Sequence, residues 1–138
     1  MKDIDIRALR DAAIEARERA YTPYSGFAVG AALLTENGKV YTGANIESAS
    51  YTPTVCAERV AFFTAVHSGE KKFSAIAIVG GKSGEKISAH CPPCGVCRQV
   101  MAEFCDADFI VITSDGKEDK VRTLGEIFPE SFSGKNLI

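Results

Sequence analysis

No stretch of this 138-residue chain approaches the ~20 consecutive apolar residues that span a bilayer. Its N-terminus opens on charged residues and has no signal-peptide core. No membrane partner is expected. Clustered cations are missing as well: the formal net charge is −2, and the 16 lysines and arginines are scattered. A long nucleic-acid footprint needs a basic stripe, so this composition argues against nucleic acid as a partner. There is no internal repeat, no low-complexity segment and no linker. One domain over residues 1–138 is expected, with a core that needs no disulfide staples. Histidine is scarce, at two residues. His67 falls near a helix end, where it serves the dipole. His90 sits close to a thiol-rich segment but is not expected as a ligand.

What is present in an unusual arrangement is cysteine. There are five, an odd number, and Cys91, Cys94 and Cys97 are crowded together. Such spacing reads as metal chemistry in a reducing compartment, and the cytoplasm is the expected location. Two stretches stand out: Cys56-Ala57-Glu58-Arg59 and Pro93-Cys94-Gly95-Val96-Cys97. A catalytic zinc keeps three protein ligands and one open position. Cys56, Cys94 and Cys97 would supply the three ligands, and Glu58 would carry protons beside them. Cys94 and Cys97 are three apart, so they share a face in a first helical turn. Pro93 suits the first position of that helix, and Thr54 can cap the helix that follows Cys56. A helix N-terminus favours thiolate over thiol. The pattern reads as a zinc hydrolase acting on an electrophilic carbon. Cys91 keeps a second arrangement open, a closed structural site of four sulfurs from Cys56, Cys91, Cys94 and Cys97. It would leave Glu58 without a task and no position for water.

Taken in order, the chain predicts an amphipathic helix over 5–20, with Asp3 or Asp5 as cap. A loop at Thr22-Pro23-Tyr24-Ser25-Gly26 leads to a strand over 27–34. Asn37-Gly38 predicts a type I′ hairpin turn, with a return strand over 39–44. A polar loop feeds a second helix over 55–67, closed by Gly69. The run Ala75-Ile76-Ala77-Ile78-Val79 predicts a buried parallel strand within 73–79. A third helix is expected over 94–104 with Val96, Val100 and Phe104 on one face. A buried strand over 109–113, a short strand over 120–122 and a short helix over 123–128 complete the chain. The order α-β-β-α-β-α-β-(β)-α is an α/β fold. Right-handed crossovers place the second and third helices side by side, and both begin at the carboxyl edge, where open α/β sheets hold their ligands. The second helix carries Val60, Phe62, Phe63 and Val66, apolar over most of its circumference, so a second subunit is expected against it.

Other residues have plain readings from their type alone. Asn45 and Glu47 read as turn and loop residues, Phe27 as a core strand residue, and Cys105 as a buried core thiol.

The motifs also carry a resemblance. Phe27-Ala28-Val29-Gly30-Ala31-Ala32, Asn45-Ile46-Glu47, Cys56-Ala57-Glu58-Arg59, Pro93-Cys94-Gly95-Val96-Cys97-Arg98-Gln99-Val100 and Pro129-Glu130-Ser131-Phe132 together resemble the small, homotetrameric cytidine deaminases. Three-cysteine ligation with a non-ligand glutamate is one of the two ligand patterns of zinc deaminases. The resemblance covers nearly the whole chain. It implies a three-layer fold whose central mixed five-stranded sheet starts with an antiparallel hairpin and has helices on both faces. It implies one Zn2+ per subunit and hydrolytic deamination of cytidine and deoxycytidine to the uridines plus ammonia, in pyrimidine salvage. Zinc-bound hydroxide would attack C4, with Glu58 shuttling the proton to N3 and then to the leaving amine. Asn45 and Glu47 would hold the ribose hydroxyls. Phe27 would pack on the base, the Ala57 N–H would bind it, and Arg59 would hydrogen-bond the zinc thiolates. Tyr51 and Phe132 would reach a neighbouring subunit's site, in a homotetramer whose aromatic tail ends in Leu137 and Ile138. A related zinc aminohydrolase acting on a nucleoside antibiotic such as blasticidin S is the alternative. The Asn-Ile-Glu stretch and the Phe132 tail favour cytidine. A deaminase of bases in RNA or DNA is disfavoured by the acidic balance and the short chain.

Overall fold

The structure is a computed structural model that describes residues 3–137; Ile138 lies outside the described residues. The first element is α1 (Ile6–Arg17), capped by Asp5, whose side chain accepts from the Ala8 N–H at 3.0 Å. Such a cap contributes ~1 kcal/mol. Leu9, Ala13 and Ala16 form its buried stripe. Two strands follow, β1 (Phe27–Thr35) and β2 (Val40–Ala44), then α2 (Ala57–His67). Next come β3 (Phe73–Lys82), α3 (Gly95–Phe104), β4 (Ile110–Ser114) and β5 (Asp119–Thr123). A four-residue α4 (Leu124–Ile127) and a 3₁₀ turn over Gly134–Asn136 end the described chain.

The five strands form one mixed sheet in the order β2-β1-β3-β4-β5. Only β3 and β4 run parallel; the other three pairings are antiparallel. One face carries α1 over Ala32, Ala75, Ala77, Val79 and Ile112. The other carries α2 and α3 over Leu33, Ile76, Ile78 and Val111. Alternation along each strand sends successive side chains to the two layers, so the apolar run of β3 is buried on both. Phe62 anchors the second layer. Its ring lies 5.2 Å from Phe73, 5.9 Å from Phe109 and 6.2 Å from Phe104. The three-layer α/β architecture and the initial hairpin are as expected.

Several local expectations change. The hairpin is not type I′, which needs φ > 0 at two central residues. Gly38 has φ +89, and Asn37 is not in the left-handed region. Thr35 and Lys39 close a three-residue loop, with Gly38 N–H donating to Thr35 O at 3.1 Å. Thr54 does not cap α2: its hydroxyl accepts from the Ser48 N–H at 2.9 Å, and Cys56 occupies the cap position without a side-chain cap bond. Pro93 is not the first residue of α3, because Cys94 is the N-cap and Gly95 begins the helix. Val96 is exposed; the buried stripe is Cys97 and Met101. β3 runs three residues past Val79, since Gly80, Gly81 and Lys82 pair with Val29, Ala28 and Phe27. The last strand spans Asp119–Thr123, longer at both ends. On α2, Phe62 is fully buried but Phe63 is 49% exposed.

Candidate active site

Two helix starts meet at one edge of the sheet. Cys56 is the N-cap of α2 and Cys94 the N-cap of α3, and both have extended backbone. Cys97 lies in the first turn of α3 and is fully buried. The approach of α2 depends on Gly43, where a Cβ would lie 2.4 Å from the Ala57 carbonyl and 2.6 Å from the Ala61 nitrogen. Only glycine lets the hairpin come so near the start of that helix. Across from it, Arg98 donates to the Pro93 carbonyl at 2.8 Å and to the Ile127 carbonyl, which holds the residue before Cys94 in place. In the sequence Arg98 belongs to the second thiol motif, but a side chain reaching back five residues and forward 29 leaves no local signal of this role.

The sulfurs of Cys56, Cys94 and Cys97 all lie within 4.8 Å of one another, and those of Cys56 and Cys94 are 3.9 Å apart. A tetrahedral zinc with Zn–S of about 2.3 Å separates its sulfurs by about 3.8 Å. The three thiols therefore fit that ion. Cys56 and Cys97 share a hydrogen bond that shifts them in opposite directions. Cys56 is held below the usual thiol range by its hydrogen bond with Cys97 and by Arg59, against the opposing effect of burial. Cys97 is pushed the other way by that same bond and by burial. Three thiolates at this spacing need a cation between them. Arg59 supplies part of the charge, donating from Nη2 to Cys56 Sγ at 3.6 Å. Its Nε is buried with no hydrogen-bond partner.

Glu58 is 5% exposed. Burial pushes its carboxyl up to about 7, and the Cys56 charge adds to this, while its own N–H and the Cys97 thiol oppose. A buried carboxyl near neutrality, beside a thiol cluster but outside it, is suited to taking and returning a proton. Cys91 is not in the cluster. Its sulfur turns to Gly80, where a Cβ would lie 2.5 Å from it and 3.0 Å from the Phe27 ring. Burial first, then the Glu58 charge, raises the Cys91 thiol. Burial likewise raises Cys105, which packs against the aromatic layer. His90 shares a 2.9 Å hydrogen bond with Thr113 Oγ1 and lies 3.7 Å from Asp115, so it turns to the sheet.

Asn45, Glu47 and Phe27 gather at the start of β1, where Phe27 pairs with Lys82 at the end of β3. Asn45 Nδ2 donates to the Phe27 carbonyl at 2.9 Å, and its Oδ1 accepts from the Val29 N–H at 2.8 Å. Glu47 accepts from Tyr24 N–H, Ser25 N–H and the Ser25 hydroxyl. Tyr51 has φ +64 and is 75% exposed; Phe132 is 56% exposed, with its carbonyl held by Gln99. Neither side chain is gathered with the others. Size does not mark the site: a cleft of about 630 Å³ lies on the α1 side, among Arg10, Ile14, Lys86 and Lys117, and contains none of the thiols.

With this geometry in view, relatives can be compared. The family model for the cytidine and deoxycytidylate deaminase zinc-binding region matches residues 4–113. A cytidine deaminase of Sporosarcina psychrophila is 45% identical over 135 residues, 97% of this chain and 96% of that protein. One from Halalkalibacterium halodurans is 46% identical over 97% of this chain and 98% of that protein. The crystal structure of cytidine deaminase from Burkholderia pseudomallei superposes with a TM-score of 0.85 at 42% identity, covering 94% of this chain and all of that one. The helix starts that bring Cys56, Glu58, Cys94 and Cys97 together are thus set in a chain that belongs to the cytidine deaminase family of zinc-binding enzymes.

Proposed function

We propose that the protein hydrolyses cytidine and deoxycytidine to uridine and deoxyuridine with release of ammonia, in pyrimidine salvage in the cytoplasm. One observation carries the mechanism. Glu58 is a buried carboxyl pushed up to about 7, beside three thiols spaced for one tetrahedral ion and not itself among them. Cys56, Cys94 and Cys97 would hold one Zn2+ per subunit, and zinc supplies a Lewis acid that makes water nucleophilic at neutral pH. Glu58 takes one proton from the attacking water and delivers it to N3 of the pyrimidine. It then takes the second from the new hydroxyl on C4 and passes it to the amine, which leaves as ammonia while that oxygen becomes the uracil carbonyl. Arg59 steadies the thiolate charge from the α2 side. The Ala57 N–H stands at the helix start with no hydrogen-bond partner among the described residues, free to bind the base. Phe27 packs against the base, and Asn45 and Glu47 hold the ribose hydroxyls.

The active form is a homotetramer in which Tyr51 and Phe132 reach a neighbour's site. What supports this is the exposed Phe63 on α2 and the outward Tyr51, whose left-handed backbone is uncommon for an aromatic residue. Turnover tests the reading directly. Purified protein incubated with cytidine should yield uridine and ammonia in equal amounts. Parallel samples with blasticidin S and a cytosine-containing oligonucleotide should yield far less. Deamination of blasticidin S in preference to cytidine would overturn the substrate assignment.

A further inference from the structure

The segment Thr22-Pro23-Tyr24-Ser25-Gly26 is a tight turn, closed by the Gly26 N–H on the Thr22 carbonyl at 3.1 Å. It wraps around one carboxylate. Glu47 Oε1 accepts from the Tyr24 N–H at 3.0 Å and from the Ser25 N–H at 3.1 Å. The Ser25 hydroxyl donates to Glu47 Oε2. The same hydroxyl accepts from the Phe27 N–H at 3.0 Å. Ser25 thus bonds at once to the carboxylate and to the first residue of β1.

A carboxylate has about four acceptor positions. Three are filled by the turn, two on Oε1 and one on Oε2. The position that remains is on Oε2, the oxygen that the Ser25 hydroxyl orients. Glu47 is held below the usual carboxylate range, first by the Ser25 hydroxyl and then by the Ser25 N–H, so it meets a ligand as an acceptor only. Ser25 itself is exposed and takes no part in either core cluster. Removal of its hydroxyl leaves the packing of the sheet untouched.

We propose that Ser25 is a positioning residue: its hydroxyl, anchored by the Phe27 N–H, aims Glu47 Oε2 at a sugar hydroxyl of the nucleoside. The inference rests on the reading of Glu47 as the acceptor for that hydroxyl. It adds that sugar contact and base contact are one unit, since the residue that orients Glu47 is bonded to the backbone of Phe27.

The test uses the zinc-loaded enzyme and four proteins: wild type, Ser25→Ala, Ser25→Thr and Glu47→Gln. For each, kcat and KM are measured on cytidine, with inhibition constants for uridine and 2′,3′-dideoxyuridine as competitors. Loss of one orienting hydrogen bond should raise KM for cytidine and the constant for uridine by roughly three- to tenfold in Ser25→Ala, with kcat within about twofold. The constant for 2′,3′-dideoxyuridine should not move, because that ligand lacks the hydroxyls. Ser25→Thr keeps the hydroxyl and should restore both values. Equal weakening of uridine and dideoxyuridine would show a general structural role and overturn the proposal, as would an unchanged KM. The Glu47→Gln protein separates the two levels. If it discriminates the two competitors less than wild type while Ser25→Ala does not, the Ser25 inference alone fails. If Glu47→Gln leaves the discrimination intact, the sugar contact of Glu47 fails, and the Ser25 inference falls with it.

Discussion

On the thiol side of the site, Arg59 Nε is buried without a partner and the Glu58 carboxyl is pushed up to about 7 by burial. On the sugar side, Asn45 has both ends of its amide bonded to the backbone of β1, and Glu47 has three bonds to the turn before it. Buried polar groups without partners are rare in folded proteins, and each one calls for a physical reason. Arg59 Nε is such a group, set beside the thiol cluster, and Glu58 holds a proton near neutrality because burial disfavours its charge. The side proposed to hold the sugar shows the opposite: its polar groups are already held by the fold, so a ligand there would meet them pre-oriented. A substitution on the thiol side should therefore disturb chemistry with little loss of stability in the chain itself. On the sugar side it should disturb both.

The sharpest contrast comes from Cys97→Ser. A hydroxyl in that buried position is a poor ligand for zinc, so metal content and turnover should both fall to background, measured by atomic absorption and by uridine release. Retention of metal with full turnover would remove Cys97 from the ligand set. Asn45→Ala comes next. It leaves the Val29 N–H and the Phe27 carbonyl without their partners in a half-buried place, which should cost about 2–3 kcal/mol of stability as well as raising KM. In a chain of this size that is a fall in Tm of roughly 5–10 °C. An unchanged melting curve with a raised KM would mean that the amide serves only the substrate.

Proton linkage sharpens the comparison without any substrate. In the zinc-free protein Glu58 is protonated up to about pH 7, whereas the unfolded chain releases that proton above the ordinary value of 4.5. Between these two values the folded state binds more protons, so stability falls as pH rises. The contribution is complete below 4.5 and lost above 7. Unfolding free energies of zinc-free wild type and Glu58→Gln should converge or cross by roughly 3 kcal/mol over that window, since glutamine does not titrate. Parallel curves would show that burial leaves Glu58 ionised. Cys91→Ser should have the smallest effect: zinc retained and turnover within about threefold, because the sulfur packs beside Gly80 and Phe27 rather than in the cluster. Loss of zinc in that variant would restore the closed four-sulfur arrangement.

The thiol side was legible in sequence because a metal demands specific ligand types at short spacing, and two helix starts supply them within Cys56-Ala57-Glu58-Arg59 and Pro93-Cys94-Gly95-Val96-Cys97. The layers were legible because the β3 run Ala75-Ile76-Ala77-Ile78-Val79 admits burial on both faces only. Finer details depended on partners far along the chain. The Thr54 hydroxyl was a reasonable cap for α2, but the Ser48 N–H competes for it. Asn37-Gly38 suits two hairpin geometries, and pairing of Leu34 with Val40 selects the three-residue loop. Gly80 and Gly81 lie past the expected end of β3 and extend it by pairing with Val29 and Ala28; they are glycine because Cys91 and Lys86 approach too closely for a side chain. Ser25 gave no signal, since its bond to Glu47 spans 22 positions. Asn45 and Glu47 look like ordinary turn residues until the fold brings them beside Phe27.

The most direct measurement is made on Glu58→Gln, with zinc content, melting temperature and cytidine turnover determined on one preparation. The variant keeps the side-chain volume and all three thiols but cannot carry a proton. Zinc should stay at one per chain and Tm should change by no more than a few degrees, while turnover falls by more than about 10²–10⁴-fold, the usual contribution of a single general acid–base group. A variant that holds zinc and deaminates cytidine at a near-normal rate would contradict the assignment of Glu58 as the proton carrier.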